Sequence, residues 1–100
     1  MNKKKYLKTS PVCKVTFSLP KKAVASANNV HLVEDFNGWS ETSTPMKRLK
    51  NGTFTTALVL QCNRQYQFRY LINGQRWEND WNADKYVPNI YGSENSLVVV

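Results

Sequence analysis

The stretch QYQFRYLINGQRW, residues 65–77, decides the fold. In an extended chain Tyr66, Phe68, Tyr70 and Ile72 fall on one face, and Gln65, Gln67, Arg69 and Leu71 on the other. That period of two marks a strand with one buried face. Asn73-Gly74 follows directly, and both residues tolerate positive φ, so this is the strongest hairpin signal in the chain. Trp77 then falls just beyond the turn.

Working outward, the same period recurs. PVCKVTFSL (11–19) alternates Cys13, Val15, Phe17 and Leu19 with Lys14, Thr16 and Ser18, and TFTTALVL (53–60) puts Phe54, Thr56, Leu58 and Leu60 together. NVHLV (29–33) and SLVVV (96–100) are short and rich in β-branched residues. Lys50-Asn51-Gly52 and Asn63-Arg64 supply turns. Only KKAVASANN (21–29) has helical propensity, and it is short and uncapped. Five to seven short strands with no long helix, repeat or linker imply one antiparallel β-sandwich or small barrel. A chain of 100 residues suffices for one hydrophobic core.

Composition narrows the class. Apolar and charged fractions of 41% and 21% are ordinary for a folded protein. No apolar run approaches the roughly 20 residues of a membrane helix, and no apolar segment of about 7–15 residues follows the basic start, as a signal peptide requires. The expected compartment is the cytoplasm. Of 14 basic residues, seven stand in the first 22 positions, which dominates the net charge of +7. Residues 1–10 are expected as a flexible basic tail and 11–100 as the folded domain. Such a tail would bind RNA or an acidic partner weakly and salt-dependently. Cys13 and Cys62 fit no metal spacing and read as small apolar residues.

Catalysis finds little support. The one histidine, His31, lies within an expected strand and has no sequence partner for a triad. Glu34–Asp35 and Glu78–Asp80 are the carboxylate pairs, but a glycosidase needs two carboxyls roughly 5–10 Å apart across a cleft, one of them in apolar surroundings. All seven carboxylates fall in loop-like or polar segments and read as solvated. No enzyme activity, metal or cofactor is expected.

The tryptophans ask for another explanation. Alternation places Phe17, Phe54 and Phe68 in the core, whereas Trp39, Trp77 and Trp81 stand in or beside segments of Asn, Asp, Ser and Gly. Flat exposed rings suit nucleic-acid bases, which stack on them, and sugars, whose C–H faces do the same.

Three segments, VHLVEDFNGWS (30–40), YQFRYLINGQRW (66–77) and YGSENSLVVV (91–100), resemble carbohydrate-binding module family 48. This family includes the early-set domains of isoamylases and branching enzymes and the glycogen-binding domain of the AMP-activated protein kinase β subunit. The resemblance runs from about residue 12 to residue 100 and points to small stand-alone bacterial members. It implies an immunoglobulin-like sandwich that binds α-1,4-glucan (glycogen, starch or maltooligosaccharide) without cutting it. By the family pattern Trp39 and Trp77 would stack on glucose, Arg69 and Asn95 would hydrogen-bond, and Tyr91 and Ser93 would stand at the edge. The departures are Glu34 where many relatives have Gly, Arg69 in place of Lys, the inserted Arg76 and the additional Trp81. A second expectation is an accessory module that docks on a glucan-metabolising enzyme such as an isoamylase or branching enzyme. A nucleic-acid ligand ranks third, and no membrane partner is expected.

Overall fold

In the computed structural model, residues 3–7 and 11–100 are described. The long alternating runs form the expected strands: β2 (Val12–Leu19), β3 (Val30–Glu34), β5 (Phe54–Gln61), β6 (Gln65–Ile72) and β9 (Glu94–Val99). Four short strands join them: β1 (Lys3–Tyr6), β4 (Lys47–Arg48), β7 (Arg76–Glu78) and β8 (Lys85–Pro88). All pairings are antiparallel. The first sheet has the order β1-β2-β5-β4 and the second β3-β6-β9-β8. In the second sheet β6 is central: β3 lies on one side, while β9 and β7 share the other, β9 along Gln65–Phe68 and β7 along Tyr70–Ile72. Of the sandwich and the small barrel that the pattern leaves open, the two sheets make the sandwich, of the immunoglobulin-like kind that the resemblance implies.

The core lies where the alternation puts it. Cys13, Val15, Phe17 and Leu19 of β2 are fully buried, and so are Phe68 and Tyr70 of β6. Phe17 meets Phe68 edge-on across the sheets, with ring centroids 4.9 Å apart, and Phe68 meets Tyr70 at 5.7 Å. Such pairs contribute about 0.5–1.5 kcal/mol beyond the burial of their area. Burial also pushes the Cys13 thiol up from its ordinary value, in keeping with its reading as a small apolar residue.

One expectation holds, that no long helix forms among the described residues, and one is corrected. The region 21–29 holds a single 3-10 turn, Lys21–Ala23, whose Ala23 tucks into the core. And Lys3–Tyr6, read as tail, pairs along β2 from Lys3↔Thr16 to Tyr6↔Cys13, while residues 1–2 and 8–10 lie outside those described. The reason is the edge of β2, whose N–H and C=O groups would otherwise be unpaired. Lys4, which takes the inward-facing position opposite Val15, reaches Asp84, just before β8 of the second sheet, at 2.6 Å.

Candidate functional site

A groove of about 1050 Å³ opens on the outward face of the second sheet. Its floor follows from the period of two in β6: Gln67 and Arg69 point outward, Val33 stands opposite Arg69 on β3, and Trp77 lies opposite Leu71 on β7. The hairpin delivers Trp77 through a three-residue turn in which Asn73 and Gly74 take φ of 54° and 65°. Arg69 lays its guanidinium over the Trp77 ring at 5.4 Å. That contact, worth about 0.5–1 kcal/mol at a half-exposed site, fixes the tilt of the ring. Arg69 Nε is buried and has no hydrogen-bond partner among the described residues, so the side chain retains donor capacity.

One wall is Trp39. After β3 the chain makes a 3-10 turn, Asp35–Asn37, and then two left-handed residues, Gly38 at φ 71° and Trp39 at φ 58°. A non-glycine residue there costs about 1–2 kcal/mol, so the loop must hold Trp39 in place by other bonds. Its N–H donates to the Glu34 carbonyl at 2.9 Å. Asn37 accepts from the Ser40 N–H at 3.3 Å and donates to Thr44 Oγ1 at 3.4 Å. Asp35 Oδ2 accepts from the Gln67 N–H at 3.1 Å, tying the turn to the groove floor. The ring stays 39% exposed, as does that of Trp77. Trp39 is therefore a wall of the groove and no lid on the core.

The opposite wall is the β8–β9 loop, shaped by Asn89. Its Oδ1 accepts from the N–H groups of Tyr91 (2.9 Å) and Ser93 (3.2 Å), an arrangement that closes the loop on one side chain. Its Nδ2 donates to Asn95 Oδ1 at 3.1 Å, and Asn95 Nδ2 donates to Gln67 Oε1 at 3.0 Å. This amide relay holds loop and floor together and turns Ile90 and Tyr91 outward, 90% and 85% exposed.

Five of the six site residues named from sequence thus line one groove: Trp39, Arg69, Trp77, Tyr91 and Asn95. Ser93 lies in the same loop but outside the lining, its N–H on Asn89. Trp81, 50% exposed, is also outside it. The reading missed Gln67, Asn89 and Ile90. Gln67 was within reach, since it shares the outward face of β6 with Arg69.

The carboxylates need a correction. Glu34 is 1% and Asp80 2% exposed, against the expectation that all seven are solvated. Asp80 accepts the Tyr70 hydroxyl at 2.6 Å, and burial followed by that carboxylate holds Tyr70 well above the ordinary tyrosine range. Glu34 faces the core opposite Phe68, and burial pushes its carboxyl up to about 7. Neither turns the groove into a catalytic cleft. Among the described residues its lining holds one carboxylate, Glu41, without the partner that glycosidic hydrolysis requires. Among the same residues no cluster of His, Cys, Asp or Glu could hold a metal ion, and no helix is long and apolar enough to cross a membrane.

An antiparallel sandwich that sets rings and amides around an open groove has the make-up of a binding module. The chain belongs to the carbohydrate-binding module 48 family (isoamylase N-terminal domain), which matches residues 24–87. It is also 36% identical over 61 residues to the 1,4-alpha-glucan branching enzyme GlgB of Butyrivibrio fibrisolvens. That match takes in 61% of this chain but only 10% of the relative, so the chain spans about a tenth of that enzyme's length. The family match includes Trp39, Arg69 and Trp77; Tyr91, Ser93 and Asn95 lie beyond it.

Proposed function

We propose that the groove binds α-1,4-glucan chains by stacking glucose units on Trp39 and Trp77, without cleaving them. The observation that carries this reading is the placement of two half-exposed indoles as wall and floor of one groove, with Arg69 and the Asn95–Gln67 amides between them. An α-1,4 chain curves and presents its less polar C–H faces, with hydroxyls at the rims. Rings then take the faces, and Arg69 and Asn95 take the hydroxyls. Tyr91 contributes at the edge of the groove, and Ser93 shapes the loop that carries it.

Affinity follows from the areas. Two rings that bury on the order of 200 Å² of apolar surface contribute about 5 kcal/mol gross. Association costs at least about 4 kcal/mol, while hydrogen bonds to the hydroxyls contribute about 1.5–3 kcal/mol from the charged Arg69 and about 0.5–1.5 from Asn95. The net of roughly 3–5.5 kcal/mol puts the Kd between about 0.1 mM and several millimolar. A heteronuclear NMR titration with maltoheptaose tests this, with cellohexaose as control. The expected result is saturable shifts at Trp39, Arg69, Trp77 and Asn95 with maltoheptaose alone. Equal response to both sugars, or none to either at millimolar concentration, refutes the reading.

A second reading rests on the relative. The matching segment is a small part of a branching enzyme, so docking on a glucan-metabolising enzyme is a companion role for this module. It predicts a stable complex with that enzyme when the groove tryptophans are removed.

A further inference from the structure

Glu34 holds a place that glucan stacking does not explain. It ends β3 at the root of the 35–44 loop, 1% exposed, with its side chain on the core face opposite Phe68. Oε1 accepts the Thr44 hydroxyl at 2.9 Å, and Oε2 has no hydrogen-bond partner among the described residues. Thr44 in turn accepts from Asn37, and Asn37 accepts from Ser40. The same glutamate accepts the Trp39 N–H on its own carbonyl. Glu34 therefore holds the loop at two points, Thr44 through its buried carboxyl and the strained left-handed Trp39 through its backbone carbonyl.

We propose that Glu34 is a positioning residue for Trp39: in its neutral form the carboxyl fastens the loop, and on ionisation it loosens the loop and weakens glucan binding. The physical reason is desolvation. A neutral carboxyl at this place leaves one hydroxyl unpaired, whereas a carboxylate leaves a charge among aromatic rings. Among the described residues no ion pair compensates it. The inward face of β6 offers Tyr66, Phe68 and Tyr70, with the tyrosine hydroxyls committed to the Gln61 carbonyl and to Asp80. Arg69 points to the groove on the other face of β6, with Val33 across from it. Asp35, the neighbouring charge, is itself negative and is held on the Gln67 N–H. From the second half of the loop come Thr44 and Glu41, the latter turned into the groove.

Burial first, opposed by the Thr44 hydrogen bond and aided by Asp35, raises this carboxyl from 4.5 to about 7. The sign follows: the stability that the neutral form confers is complete below pH 4.5 and is lost as the pH rises through about 7. The effect on sugar rests on the groove reading above; the response of the loop does not.

The experiment follows the Glu34 side-chain carboxyl carbon, the Gly38 amide and the Trp39 indole by NMR from about pH 5 to about pH 9. Maltoheptaose titrations at both ends of the range accompany it, for the wild type and Glu34→Gln. In the wild type the Gly38 and Trp39 signals should move with the Glu34 midpoint, near neutrality, and affinity should fall several-fold across it. Both changes should vanish in Glu34→Gln. Thr44→Val provides a second variant should that one fail to fold, and its Glu34 midpoint should move further up. Loop signals that stay flat through the Glu34 midpoint, or a pH dependence that persists in Glu34→Gln, overturn the proposal. Coupled loop signals with no maltoheptaose binding at any pH support the device and overturn the groove reading instead.

Discussion

The first sheet and the second differ in charge as much as in shape. In the strands of the first sheet stand Lys3, Lys4, Lys5, Lys14, Lys47 and Arg48, without a single carboxylate. All seven carboxylates fall in or beside the second sheet, which keeps only Arg69, Arg76 and Lys85. The outward face of the first sheet is small and even: Thr16, Ser18, Thr55 and Ala57, with Val59 beside the facing lysines Lys5 and Lys14. The outward face of the second is concave and carries the indoles and the amide relay. Charge and concavity are thus separated. The basic balance that dominates the composition tells nothing about the groove, and a neutral sugar in the groove would not feel most of that charge.

The comparison breaks first if the sheets are not one cooperative unit. Phe17 joins them through its edge contact with Phe68 and is fully buried. Phe17→Ala should cost about 3–5 kcal/mol. All three tryptophans lie outside the first sheet, so their fluorescence reports on the second alone. Urea unfolding by fluorescence and by far-UV circular dichroism should shift together in this variant. Separate transitions would mean that the second sheet survives without its partner.

A smaller effect sharpens the contrast between the faces. Trp39→Ala and Trp77→Ala should each weaken maltoheptaose binding by about 1–3 kcal/mol, the scale of ring stacking on a base. Neither ring is in the core, so the denaturation midpoint should move little. Val59→Ala, the truncation of a still more exposed apolar residue on the first sheet, should leave the affinity unchanged. A well-folded double tryptophan variant with wild-type affinity would place the ligand elsewhere.

Sequence made the interior of this molecule legible, and its rims less so. The five strands found from pattern are those with a buried face, because burial is what writes a period of two into a strand. β1, β4, β7 and β8 have two to four residues each and bury almost nothing, so KKKY, KR, RWE and KYVP carry no such period. They form because the backbone edges of longer neighbours need partners. The site divides in the same way. Arg69 and Trp77 were reached through strand alternation and the hairpin, and Trp39 through its position in a turn that does not suit it. Ile90 and Asn89 were not, since a loop built on one Asx side chain shows no regularity in sequence. Glu34 was misread for a related cause: within EDFNGW it looks like part of a polar turn, and only the register opposite Phe68 reveals that it points inward.

The smallest effect tests the charged face itself. Lys5 and Lys14 stand directly opposite each other across β1 and β2, both exposed, with no carboxylate on their sheet. Like charges in that position destabilise a strand pair, by up to about 1 kcal/mol and more often by a few tenths. Lys14→Gln should therefore raise stability slightly at low ionic strength. The gain should fade toward about 1 M salt, where the screening length shrinks to about 3 Å. Maltoheptaose affinity should be the same in both proteins and at both salt concentrations, because the ligand is neutral and the groove lies on the other sheet. A gain that persists in high salt would point to strand propensity instead of repulsion. A loss would mean that the Lys14 stem shields Val59 across the strand pair, and that packing outweighs charge even on this face.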